Sequence, residues 1–367
     1  MQDVNWRAEP SERELFFCVA LGAVLFVMTT GALHGHSLTY GDNGAYLEVA
    51  TAIRHWDFHG LTDVQHFMGY PYAIAAVSLV LRVPLSVSLL LVSGAASLTS
   101  TLLIARLFGT RVAGYFAVSN FAWLQASFLG GSEPLAVALG MGAFWNFRRG
   151  NFVVAAFLGA LATIVRPLMI CTLLGIGLVL LCRRQYTQFL GALGVGLAIG
   201  VLYAFSLAHY YGDPFLTVHS YTSRDYGATN ISGPHGQLFS WPLYAIIMGT
   251  LTYPAPLTNL VLSFSWIALV LAGLAAMFSR NFRGYLRAYP AEAVFCGLYL
   301  LMIFCYGYLV WARSNFMRFA IPALPFIFYA LLSWLPQDRR VLWCLSVIGP
   351  LLAACSAVGI KNLSLFP

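Results

Sequence analysis

The sequence predicts an all-α, polytopic transmembrane helical bundle, and three observations carry that prediction. Hydrophobic residues make up 60% of the 367 positions and charged residues only 9%, against roughly a quarter charged in soluble domains; the mean hydropathy is +0.77. Apolar stretches recur along the whole length, at 15–33, 70–106, 111–129, 133–147, 151–182, 188–208, 242–278, 291–311, 318–335 and 341–360. The arginines fall in pairs and clusters between those stretches. A span takes about 20 apolar residues, so the chain has material for about ten to twelve spans. We expect one membrane-embedded domain over residues 1–367, with no room for a separate soluble domain.

The start, MQDVNWRAEPSEREL, mixes its charges, and no small-residue cleavage site follows it. The stretch 15–33 is long enough to stay in the bilayer, so it is expected to be a first span and not a signal peptide. Arginine marks the cytoplasmic side. Placing Arg106/Arg111, Arg148/Arg149, Arg183/Arg184, Arg280/Arg283/Arg287 and Arg339/Arg340 inside leaves three poorly charged connections outside. These are GGSEP (130–134), the break at Arg166-Pro167, and the segment 209–241. With the N-terminus inside, the segment 34–69 is external too. The stretch 70–106 must then cross an odd number of times, yet Arg82-Val83-Pro84 splits it into a helix of about 13 residues and a full span. A second half-helix is expected at 242–257, where Trp241-Pro242, Pro254 and Pro256 interrupt the pattern. Such breaks at membrane depth need neighbours to satisfy the freed backbone groups.

The two external segments differ in character. Within 34–69, Tyr46, Val49, Ala50 and Ile53 fall near helical spacing opposite Glu48 and Arg54, as in an amphipathic helix lying at the interface. The segment 209–241 is rich in Gly, Pro, Ser and Tyr and reads as an ordered loop. The seven cysteines sit mostly in apolar stretches, without metal-ligand spacing or a disulfide framework, and read as small apolar fillers. The net charge of +7 comes from arginines at helix ends, lysine occurring only at Lys361. That balance points to topology and lipid phosphates, not to nucleic acid.

Of only 13 acidic residues, Asp42, Glu48, Asp57 and Asp63 all fall in the first external segment. Asp42, in TYGDNGAYLEVA, has two readings: a helix N-cap, or a carboxylate that takes a proton from an acceptor hydroxyl. Glu133, in GGSEPLAVALG, is either part of a helix start capped by Ser132 with Pro134 in its first turn, or a functional acid at the mouth of an apolar helix. His219 and His235 are loop histidines, solvated or catalytic. His34, His36, His55, His59 and His66 include pairs at short spacing but form no tight ligand set with a carboxylate, so no metal is expected. Arg166 and Arg318 are lone arginines at the external edges of apolar helices. Each either snorkels or holds a lipid phosphate through its guanidinium fork.

The ordered set resembles the GT-C superfamily of integral-membrane glycosyltransferases. Within it the pattern is closest to the mannosyltransferases related to the second enzyme of GPI-anchor assembly and their bacterial relatives. The matching segments are Asp42 followed by Tyr46 and Val49-Ala50, the junction HFMGYPYAI, Ser132-Glu133, Ile164-Val165-Arg166-Pro167, Gly212-Asp213-Pro214-Phe215 with His219, and Arg318-Phe319 with Pro322 and Pro325. Together they cover residues 34–330. One departure stands out: Gly41 precedes Asp42 where the eukaryotic enzymes often have Trp. Trp56-Asp57 occurs later instead, which makes Asp57 a rival base.

The resemblance implies an inverting transfer of a hexose, mannose above all, from a polyprenyl-phosphate donor to a lipid, glycan or protein hydroxyl. Asp42 would be the general base, and Arg318 with Arg166 or His219 would stabilise the leaving phosphate. Tyr46, Glu133 and Asp57 would complete the substrate site. It implies no cofactor or metal, membrane lipids as surroundings, and a site facing outward from a bacterial or archaeal cytoplasmic membrane. Two rival readings are a transporter or flippase of a lipid-linked intermediate and a non-catalytic subunit of an envelope complex. Transporters tend to carry internal repeats, and none is evident here.

Overall fold

The computed structural model describes residues 9–34, 42–58, 66–217, 219, 239–252, 267–268, 270–273, 275, 278–307 and 316–362. Among these residues the regular structure is helical throughout, apart from an isolated antiparallel bridge between Phe239 and Tyr306. The helices are α1 (Glu12–His34), α2 (Asn43–His55), α3 (Gly69–Leu81), α4 (Leu85–Phe108), α5 (Thr110–Ser119), α6 (Phe121–Leu129), α7 (Glu133–Arg148) and α8 (Phe152–Val165). They continue as α9 (Ile170–Cys182), α10 (Tyr186–Tyr211), α11 (Tyr244–Thr252), α12 (Arg280–Ala288), α13 (Pro290–Phe304), α14 (Phe316–Ala320), α15 (Leu324–Ala330) and α16 (Arg339–Asn362).

The outer surface of the bundle is apolar. In α10 only Ala192 and Leu207 are buried, and Leu197, Val201, Leu202 and Phe205 are more than half exposed. A helix that is apolar all round and still exposes such side chains is solvated by lipid. Among the described residues, four helices are long and apolar enough to cross a membrane: α1, α4, α10 and α16 as far as Ala357. A fifth is gained if the bent pair α12 and α13 counts as one span. The other expected spans exist as shorter helices, and prolines explain much of the shortening. Pro167 ends α8, and Pro322 and Pro325 divide the stretch Phe316–Ala330. The expected split of 70–106 is present, as a 13-residue α3 and a 24-residue α4. The half-helix expected at 242–257 is represented by α11, and residues 253–266 lie outside the described residues.

Ion pairs define one end of the bundle. Arg106 pairs with Glu12, Arg339 with Glu14, and Arg148 with Glu292, while Arg111 donates to Gln337. Arg148 also donates to the Leu107 carbonyl at 3.2 Å and the Tyr285 hydroxyl at 2.8 Å, which ties α4, α7 and α12 together. The first turns of α1, α13 and α16 and the last turns of α4 and α7 therefore share this arginine-rich end. The opposite end carries Asp42, Glu133, Arg166 and Arg318, on the side where the arginine pattern put the poorly charged connections.

Candidate active site

Asp42, Glu133 and Arg166 stand at helix ends and Arg318 lies on a one-turn helix, and the local sequence explains why. Asp42 is the residue before α2, whose buried Tyr46, Val49 and Ala50 form the apolar face expected from spacing. Glu133 opens α7 beside Pro134, which tolerates the first turn because no N–H is needed there. Arg166 sits at the apex between α8 and α9. Pro167 forces the preceding residue out of helical conformation, and Arg166 adopts φ −143°, ψ 119°. Arg318 lies on the short α14, just ahead of the Pro322 break.

Two glycines allow these ends to converge. Gly69 starts α3 against the end of α8, where a Cβ would stand only 2.5 Å from the Ile164 carbonyl oxygen. Gly130 ends α6 with φ +93°, and its carbonyl accepts from the Tyr70 hydroxyl at 3.0 Å.

The four charged residues form one network. Arg318 donates through Nη2 to Asp42 Oδ2 at 2.5 Å and through Nε to Glu133 Oε1. Arg166 donates through Nη1 to the same Glu133 Oε1 at 2.5 Å and to Ser132 Oγ at 3.3 Å. Ser132 Oγ meets the Tyr46 hydroxyl at 3.0 Å. Glu133 is fully buried, and its Oε2 has no hydrogen-bond partner among the described residues. Two carboxylates against two guanidiniums leave the cluster balanced in charge, as a buried set must be.

This geometry sets aside the capping and snorkelling readings. The Asp42 side chain makes no capping bond to α2; its carboxylate points at Arg318 and, across 3.8 Å, at His66 Nε2. Ser132 likewise makes no capping bond to α7 and belongs to the network. Arg166 and Arg318 are not snorkelling, since both guanidiniums are committed to carboxylates. Burial raises the Asp42 carboxyl, but Arg318 and His66 more than reverse this and hold it below the ordinary carboxylate range. Burial and the nearby Asp42 charge push the Tyr46 phenol up to about 12.

Two expected members are not brought to the cluster. His219 pairs with Asp213 at 2.7 Å, exposed, in the segment after α10. Asp57 lies just past the far end of α2, roughly 20 Å from Asp42 at 1.5 Å per residue. The described parts of 34–69 pack on the end of α10. Phe58 stacks on Tyr210 with ring centroids 3.7 Å apart, Phe67 stacks on Tyr203 at 5.9 Å, and Tyr203 bonds the Met68 amide. Residues 220–238, with His235, lie outside the described residues, as do His36 and His59. Among the described residues no three His, Cys, Asp or Glu side chains converge as a metal set.

His66 is the neighbour that the sequence did not single out as a partner of Asp42. It stands edge-on to Tyr46, with ring centroids 5.1 Å apart. Its only signal was its place within an aromatic-rich segment, which says nothing about direction.

No protein-family model and no curated protein matches the chain. A solved structure does match in fold. The crystal structure of ArnT from Cupriavidus metallidurans bound to undecaprenyl phosphate aligns with a TM-score of 0.55 and 15% identity, over 98% of this chain and 66% of that one. The structure of the same protein in the apo state aligns with a TM-score of 0.43 and 16% identity, over 96% and 65%. The chain has a GT-C fold. This GT-C bundle spans about two thirds of the length of ArnT.

Proposed function

We propose that the protein is a GT-C glycosyltransferase that moves a hexose, most readily mannose, from a polyprenyl-phosphate donor to a hydroxyl acceptor. One observation carries this reading: Asp42, Glu133, Arg166 and Arg318, scattered over 276 positions, meet in a single bonded cluster. ArnT, which shares the fold, was crystallised with undecaprenyl phosphate, and that supports a polyprenyl-phosphate ligand here.

In the proposed reaction Asp42 takes the proton of the acceptor hydroxyl as its oxygen bonds to the anomeric carbon. The bond from that carbon to the donor phosphate breaks on the opposite face, giving inversion. Arg318 and Arg166 balance the charge that develops on the leaving phosphate. Glu133 orients both guanidiniums from beneath, and Tyr46 with Ser132 fixes Arg166. Because the guanidiniums supply the positive charge, the reading includes no metal or cofactor. His219 and Asp57 carry no step in it. By the arginine pattern the site faces outward from the cytoplasmic membrane, on a single membrane-embedded domain.

The test is reconstitution of the purified protein with polyprenyl-phosphate mannose and short glycan or lipid acceptors. Release of polyprenyl phosphate together with glycosylated acceptor is the expected result. Absence of transfer with mannose, glucose and other hexose donors, with transbilayer movement of the donor instead, would replace this reading by that of a flippase.

A further inference from the structure

The arginine-rich end holds a second feature that the transfer reaction does not use. The helix α12 turns 115° from α13 at Tyr289-Pro290, so it lies across the end of the bundle while α13 runs along it. Its inner face is pinned from below. Tyr285 is buried against Phe108, with ring centroids 5.5 Å apart, and accepts from Arg148, whose guanidinium also sits 3.5 Å from the centre of the Tyr289 ring. Its outer face presents Arg280, Arg283 and Arg287 at helical spacing, all exposed and none ion-paired with a described residue.

Beside Arg280 opens a cavity of about 440 Å³ lined by Ala275, Phe278, Ser279, Arg280, Ser333 and Trp334. Phe278 is 83% exposed and Trp334 70% exposed. Two large exposed aromatics line the opening together with Arg280, and Arg283 follows Arg280 one turn along α12. That is the pattern of a site where an apolar chain enters beside an anionic head at the membrane interface.

We propose that this cavity binds one anionic phospholipid, its phosphate held by Arg280 and Arg283 and an acyl chain lying between Phe278 and Trp334. The charge of the outer face selects the anionic headgroup, and the aromatic walls require a lipid instead of a free anion. The site serves to anchor the arginine-rich end, and it stands whether or not the opposite end transfers sugar.

The test is native mass spectrometry on the full-length protein in detergent, titrated with phosphatidylglycerol, with phosphatidylcholine of the same acyl chains, and with inorganic phosphate. The parent is expected to prefer phosphatidylglycerol over phosphatidylcholine by at least tenfold. Arg280→Gln/Arg283→Gln should lose about thirtyfold in phosphatidylglycerol affinity, at roughly fivefold per arginine. Arg280→Lys/Arg283→Lys should keep most of the preference. Trp334→Ala should weaken both lipids alike. Both arginines are exposed, so circular dichroism should show the variants folded. Three results would each overturn the proposal: an unchanged preference in the double Gln variant, inorganic phosphate displacing phosphatidylglycerol, or full lipid affinity in Trp334→Ala.

Discussion

Arg318 reaches Asp42 across 276 positions of sequence, Nη2 to Oδ2 at 2.5 Å, while its Nε holds Glu133. One guanidinium therefore serves both carboxylates of the cluster, one partly open and one fully buried. Asp42 keeps its charge through Arg318, and a phosphate arriving at Arg318 would relieve that grip on the carboxylate just as the acceptor proton needs a destination.

Replacing Asp42 by Asn should leave the fold intact and cut transfer by at least about a hundredfold, the usual scale for losing a general base. The carboxamide fills the same space but takes no proton. Asp57→Asn, past the other end of α2, should transfer at the parent rate. Initial rates of the two purified variants check this, and the reverse ranking would move the base to Asp57.

Arg318→Lys should raise the donor KM about tenfold or more with expression unchanged. A lysine offers a point charge and cannot span two carboxylates and a phosphate as the fork does. A donor titration on the variant is the measurement; a curve that overlays the parent's would take Arg318 out of the phosphate site.

Glu133→Gln should be the most destabilising of the single changes. It leaves two part-buried guanidiniums facing a neutral amide in place of the buried carboxylate, and breaking a buried pair costs up to about 3–5 kcal/mol. Adding Arg166→Gln should restore part of the loss, since the two positions share a bond. Thermal unfolding in detergent of the single and double variants reads this coupling, and strict additivity would mean that the pair contributes little.

The pH dependence follows from the direction of the Asp42 shift. Its folded-state carboxyl is held below the ordinary value, so the stability it contributes is fully present above the unfolded value of about 4 and is lost as pH falls through the lower folded value. The stability difference between the parent and Asp42→Asn should thus stay constant from about pH 8 to 5 and shrink only below about pH 4. Unfolding midpoints across that range give the difference; one that vanished by pH 6 would mean that Arg318 does not hold the carboxylate down.

The fold class was legible because lipid solvation and the arginine pattern are properties of composition and order. Arg82-Val83-Pro84 announced the split between α3 and α4, since a residue before proline resists the helix. Asp42, Glu133, Arg166 and Arg318 were legible as candidates because each is a lone charge at the edge of an apolar run. Their mutual bonds were not, because sequence order does not say which helix ends meet in space. His219 was ambiguous for a related reason: its place near a Gly-Asp-Pro turn fits the local pairing with Asp213 as well as a catalytic role. The short helices α7 to α9 blurred the span count, because the span rule counts apolar residues and takes no account of prolines and polar breaks that cut helices short.

The burial of Glu133 bears on how the protein enters the membrane. The acid is followed 33 positions later by Arg166, so during synthesis its countercharge arrives within the next helical hairpin. Asp42 must wait for Arg318, which is made 276 positions later. At 5–20 residues per second that interval is roughly 15–55 s. Early helices would thus dwell in the bilayer with one acid neutralised and another still hydrated at the surface, until α14 delivers Arg318 and closes the cluster. A chain stopped before residue 316 should insert its first helices and yet remain open at Asp42, more exposed to proteases on that face than the finished protein.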